Sequence, residues 1–91
     1  MFIRELIWDQ QNIDHIAVHH VEQDEVEDIA FGKHLARRAR EENRYLLFGQ
    51  TAEGRYLWIV IDHEGERFFY VVTARDMTPD ERRLYQRTVH K

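Results

Sequence analysis

Three runs of eight residues constrain this chain more than any other feature: 44–51 (RYLLFGQT), 55–62 (RYLWIVID) and 67–74 (RFFYVVTA). Each is dense in aromatic and β-branched side chains, which suit a pleated, half-buried surface. Only Ala-Glu-Gly and His-Glu-Gly-Glu separate them. Connections that short make hairpins, and Gly54 and Gly65 supply the positive φ that such loops need. An antiparallel meander is expected. Residues 34–40 are a weaker candidate for a strand preceding it, because Ala36 and Ala39 have low strand preference.

The flanks of the meander read as helical. Residues 2–8 suit a short strand that ends at Asp9, which can cap a first helix with Asn12 at its third position. Ile13, Ile16 and Ala17 follow at the spacing of one buried helical stripe, predicting a helix over about residues 10–19. A second stripe, Val26, Ile29 and Ala30, belongs to an acidic helix starting near Glu22. Its Glu22, Asp24 and Glu25 complement the positive end of the helix dipole, and Gly32 is expected to close it. Near the end of the chain, Thr78 as N-cap, Pro79 at the first position and Glu81 at the third form a capping box. That helix is expected over residues 79–89, with Leu84, Tyr85 and Thr88 on one face and Arg82, Arg83 and Arg87 around the rest. The order β-α-α-β-β-β-β-α follows. It is an α+β fold, a small antiparallel sheet of four or five strands with helices packed on one face.

A chain of 91 residues makes one domain, residues 1–91. It has no cysteine, hence no disulfide framework and no thiolate metal site, which fits a reducing compartment. No signal-like start and no apolar stretch near the roughly 18 residues of a membrane span is present. A cytoplasmic protein with no membrane partner is expected. The net charge of −4 argues, on average, against a polyanion partner, but the average hides a division. Residues 1–32 hold one base against eight acids, net −7, whereas residues 33–91 hold twelve bases against nine acids, net +3. The second part can meet a polyanion while the first faces elsewhere.

Along the chain stand Trp8-Asp9, Asn12-Ile13-x-His15-Ile16, His19-x-Val21, Glu25-Val26, Arg44-Tyr45, Gly49-x-Thr51 and Gly54-Arg55. They end in Thr73-Ala74-Arg75-x-Met77-Thr78-x-x-Glu81-Arg82-Arg83-x-Tyr85. In this order and spacing they resemble the BrnT family of toxins from bacterial type II toxin–antitoxin pairs, over nearly the whole chain. The resemblance implies a RelE-like fold, ribonuclease activity without a cofactor, and neutralisation by a BrnA-type antitoxin with a ribbon-helix-helix fold. DNA would then be met only indirectly, through that antitoxin. Two positions depart from the family's pattern. His20 stands where a glycine is usual, so a residue with a Cβ must take the left-handed position or the helix must end differently, at a cost of about 1 kcal/mol. Glu22 stands where a Ser or Thr cap is usual.

Metal-independent RNA cleavage needs a group to take the 2′-OH proton, cations to stabilise the phosphorane, and a donor for the leaving 5′-oxygen. Arginine serves only as the cation, because it stays protonated, but its planar fork matches phosphate oxygens two at a time. The candidate catalytic residues are Arg55, Arg75, Arg83 and, as proton donor or stacking platform, Tyr85. Arg75 is foremost, since it ends a buried run and matches the family's motif. Arg37, Arg38, Arg40 and Trp8 are the candidates for RNA binding, neighbouring strands bringing the first three, Arg55 and Arg75 toward one groove. His34 and His63 are weaker candidates for a general base with near-neutral pKa. His15 and His19 have the four-residue spacing of a two-histidine metal face, but no HExxH glutamate accompanies them, and no metal is expected. The rival reading is a non-catalytic protein-binding module of the same fold, which the acidic first helices favour.

Overall fold

The computed structural model describes residues 1–90. In chain order its elements are β1 (Glu5–Ile7), α1 (Gln10–Ala17), α2 (Gln23–Ala30), β2 (His34–Arg38), β3 (Arg44–Gln50), β4 (Tyr56–Gly65), β5 (Phe68–Asp76) and α3 (Pro79–Val89). The five strands form one sheet in the order β1-β5-β4-β3-β2. From β2 to β5 each neighbouring pair is antiparallel, as hairpin connections require. β1 differs from expectation: it runs parallel to β5, from Glu5 opposite Phe68 to Ile7 opposite Tyr70, so the sheet is mixed. Its chain leaves through two helices rather than a hairpin, and nothing then forces an antiparallel partner.

Local chemistry accounts for the helix ends. The Asp9 carboxylate accepts from the Asn12 backbone N–H, and the Asn12 side-chain oxygen accepts from Asp9 N–H, both at 2.9 Å. α1 closes with His20 in the left-handed region, φ 60°, its N–H donating to Ala17 O at 2.9 Å. A residue with a Cβ does occupy the strained position. At the start of α2 the Glu25 carboxylate accepts from Glu22 N–H at 3.0 Å. Gly32 follows the C-cap Phe31 without a positive φ, so it does not close α2 by the left-handed route.

Side chains alternate between the two faces of a strand, and here both faces are covered. One face carries Leu47, Leu57, Ile59, Ile61 and Val71 against Ile16, Val26 and Ile29 of α1 and α2. The approach is close enough that a Cβ on Gly49 would meet Ile29 Cγ2 at 2.6 Å. The opposite face carries Tyr56, Trp58, Leu46 and Phe48, and α3 packs there. Tyr85 is buried edge-to-face on Tyr56 with ring centroids 6.0 Å apart, and Gln86 Nε2 donates to the Tyr56 hydroxyl at 3.1 Å. The helices therefore lie on both faces, not on one. The physical reason is in β4, whose apolar run is nearly continuous rather than alternating, as befits a strand buried from both sides.

A bulge sets which residues reach which face. Val60 opposes Thr73 while Ile61 opposes Val71, leaving Val72 as an extra residue in β5. Strict alternation would put Val71 and Ala74 on opposite faces. With the bulge both are buried in the core, and Arg75 is turned to the α3 face opposite Trp58.

Candidate nucleic-acid interface

On the α3 face, Arg75 and Trp58 are directly opposed in register, and the Arg75 guanidinium lies 3.8 Å from the Trp58 ring centroid. That is a cation over the most electron-rich aromatic face available to it. α3 supplies the second constraint. Arg75 Nη1 and Nη2 donate to the two oxygens of Glu81 at 2.9 and 3.2 Å, and Nη1 also donates to Asp76 O at 2.9 Å. The Arg75 guanidinium, together with the Thr78 N–H at the helix start, holds the Glu81 carboxyl below the usual range. Arg75 and Glu81 are both only partly exposed.

Trp58 also forms part of a shallow cleft of about 390 Å³, with Val60 and Leu46 beside it and Arg38, Arg40, Glu41 and Arg44 around it. Arg40 makes no side-chain hydrogen bond or ion pair among the described residues. Arg38 borders the cleft at the strand, but it is in register with Tyr45 and turns its side chain to the α1–α2 face, its guanidinium 5.5 Å from the Tyr45 ring. Arg44 is occupied: its Nε and Nη2 donate to the two Asp62 oxygens at 2.7 and 3.0 Å, across a β3–β4 register pair. This pairing keeps Arg44 charged but spends its two-donor edge. Arg37 stands on the same sheet face nearer α3, beside a smaller apolar pocket of about 90 Å³ lined by Leu35, Phe48, Leu84 and Tyr85.

The remaining candidates lie elsewhere. Arg55 uses all five of its N–H donors. It pairs with Asp76 through Nε and Nη2 at 2.8 and 3.3 Å, with Glu25 at 3.0 Å, and with the His19 and His20 carbonyls at 3.3 and 2.6 Å. It ties the end of α1 to α2 and β5, away from the cleft. Arg83 sits on the outer side of α3 and pairs with Asp80. Tyr85 is in the interior, and burial raises its pKa. Trp8 packs against the core on the α1–α2 face, its indole N–H donating to Glu27 at 3.2 Å, so it does not share a face with Arg75.

The histidines are likewise dispersed. His34 Nδ1 meets Ile29 O at 2.9 Å beneath α2, and His63 Nε2 meets Glu66 O at 2.6 Å in the β4–β5 hairpin. His15 and His19 have ring centroids 6.0 Å apart, and no cluster of three or more potential metal ligands occurs among the described residues.

Of the expected residues, then, Arg75 and Arg40 come together around Trp58, whereas Arg38 reaches the opposite face of the sheet because it alternates with Arg37 along β2. Sequence reasoning passed over Trp58, Arg44 and Asp62, and it read Glu81 only as a helix cap. The missed signal was strand parity: Trp58 alternates with Leu57 and Ile59, so a wholly buried β4 puts it on the second face.

Across the sheet, the α1–α2 turn and α2 form an open basin of about 550 Å³ lined by Glu22, Asp24, Glu25, Asp28 and Glu53, with Arg55 beside them. The basin is thus acidic and lies across the sheet from the cleft, whose arginines are accompanied by Glu41 and Asp62. No helix among the described residues is long and apolar enough to cross a membrane. Neither family models nor curated proteins gave any match to this sequence.

Proposed function

We propose that this chain is the toxin of a type II toxin–antitoxin pair, RelE-like in fold and BrnT-like in sequence, acting as a metal-independent endoribonuclease in the cytoplasm. The observation that carries the reading is the Arg75 guanidinium stacked on Trp58 beside a cleft edged by Arg40 and Arg44. Aromatic rings next to arginines are what single-stranded RNA requires: a base stacks and the phosphates are neutralised. In this reading Arg75 stabilises the charge that builds on the phosphate as the 2′-oxygen attacks phosphorus and the 5′-oxygen departs. A BrnA-type ribbon-helix-helix antitoxin holds the activity in check, and contact with DNA passes through that partner.

The test separates charge from geometry. Arg75→Ala should lower RNA cleavage by about 2 to 4 kcal/mol of transition-state stabilisation. Arg75→Lys keeps the charge but loses the planar fork, and should also be impaired. Arg67→Ala, at the other end of the β5 hairpin, is the control. Growth arrest and RNA cleavage by matched amounts of soluble protein decide the matter, and full activity in Arg75→Ala removes Arg75 from the site.

A second reading, a non-catalytic binding module of the same fold, is favoured by the acidic basin and by the structural use of Arg55 and Tyr85. It predicts that induction in bacteria neither arrests growth nor degrades RNA, while a basic protein partner is still bound.

A further inference from the structure

The three groups around Arg75 leave one part of it unspent. A guanidinium offers five N–H donors, arranged as an end-on pair, a side-on pair and one more. Glu81 takes the end-on pair, through Nη1 and Nη2, and Asp76 O takes the second hydrogen of Nη1. What remains is the side-on edge, Nε–H with the second hydrogen of Nη2. No protein acceptor lies on that edge among the described residues. Nε is not sealed in the interior either, because among the described residues the only buried side-chain nitrogen or oxygen lacking a partner is His34 Nε2.

Arg55 and Arg44 show the contrast. In each the side-on edge is spent on a carboxylate, Asp76 for Arg55 and Asp62 for Arg44. In Arg75 the carboxylate sits at the other end of the fork. The plane is fixed by Trp58, and rotation within that plane is fixed by Glu81.

We infer that Glu81 is a positioning residue: with Trp58 it locks Arg75 so that the Nε/Nη2 edge is presented ready-made to two oxygens of one RNA phosphodiester. The inference rests on the ribonuclease reading above. An arginine held this way loses little side-chain freedom on binding, and the saving appears as affinity. Glu81 reaches the fork because it is anchored in turn. Its Oε1 accepts from Thr78 N–H at 2.9 Å, and its own N–H donates to Thr78 Oγ1 at 3.1 Å. The helix cap and the phosphate clamp are thus one structure.

The test uses full-length protein and a short 2′-O-methyl oligouridine, which binds but cannot be cut. Glu81→Asp keeps the charge but is one methylene too short to span to the fork, and Glu81→Gln keeps the length and one acceptor. Positioning predicts that Glu81→Asp and Glu81→Ala weaken binding by about tenfold, the worth of a good charge-assisted contact. Glu81→Gln should retain more affinity than either. In an Arg75→Ala background all three changes should have no further effect. The ¹⁵N relaxation of the Arg75 Nε–H group reports the lock directly: rigid in wild type and mobile in Glu81→Ala, a loss that helix stability alone would not produce. Affinity that is unchanged or tighter in Glu81→Asp, or a rigid Nε–H in Glu81→Ala, overturns the inference and leaves the ribonuclease reading standing. Failure of the wild type itself to bind the oligonucleotide overturns both.

Discussion

Asn12 shows how much one side chain can carry. It is buried, and its amide donates to Ile7 O and Val71 O, both at 3.0 Å, while its oxygen accepts from Asp9 N–H. It therefore fastens α1 to β1 and β5 at once. Asn12→Ala leaves two carbonyls without a donor, at about 1 to 3 kcal/mol for each, so a loss of about 3 kcal/mol is expected. Urea denaturation would show it as a lower midpoint at unchanged slope, and a shift below about 1 kcal/mol would mean that water replaces the amide without strain. Arg55 gives a residue-scale prediction in pH. Its hydrogen bonds to Asp76 hold that carboxyl below the usual range, against an opposing push from burial. A carboxyl with a lowered folded-state pKa adds stability above its unfolded value, near 4, and loses it as pH falls through the folded value. The Asp76 side chain is 65% exposed, so solvent screening keeps the contribution small. Arg55→Met should therefore flatten the decline of stability between about pH 5 and pH 3 while lowering stability at pH 7. Parallel pH profiles for variant and wild type would assign the acid response to other carboxyls.

Among the elements, α3 is the one whose beginning was most legible from residues alone. Thr78, Pro79 and Glu81 occupy the cap, first and third positions that their chemistry dictates. Thr78→Ala should cost about 1 kcal/mol of stability, measured by thermal or urea unfolding, and a change within error would mean that Glu81 alone holds the turn. The meander strands were legible for a similar reason, since β-branched and aromatic runs with short glycine loops admit few alternatives. Two kinds of information were not legible. Where β1 pairs depends on the path that α1 and α2 take across the sheet, which no local pattern records. Which face Arg75 reaches depends on one extra residue, Val72, and a bulge of that kind leaves Val, Val and Thr looking like unbroken strand. The cleft was half legible as a result. Arg40 and Arg75 were in view, but the ring that organises them was passed over, because Trp58 sits in the middle of the most apolar run of the chain.

For the whole molecule, the proposed RNA partner has to be reconciled with a net charge of −4. The answer lies in the sheet as a partition. The acidic basin of α2 lies on one side and the cleft of Arg40 and Trp58 on the other, in a molecule measuring 33 × 26 × 22 Å. The screening length at physiological salt is about 8 Å, well short of that span, so each side acts largely as its own field. If Arg37, Arg40 and Arg75 neutralise about three phosphates, the logarithm of RNA affinity should fall with the logarithm of salt at a slope of about −2. Arg40→Ala should reduce that slope by about 0.7, the share of one phosphate on a single strand. Asp24→Asn with Glu53→Gln, both on the basin, should leave slope and affinity within about twofold at physiological salt. The same pair of changes should weaken the grip on a basic protein partner, because that partner would meet the basin and not the cleft. Fluorescence anisotropy across a salt series measures all three proteins. RNA affinity that climbs manyfold on neutralising the basin would place the polyanion on the α2 side and empty the cleft of its role, whereas an unchanged slope in Arg40→Ala would remove that arginine alone.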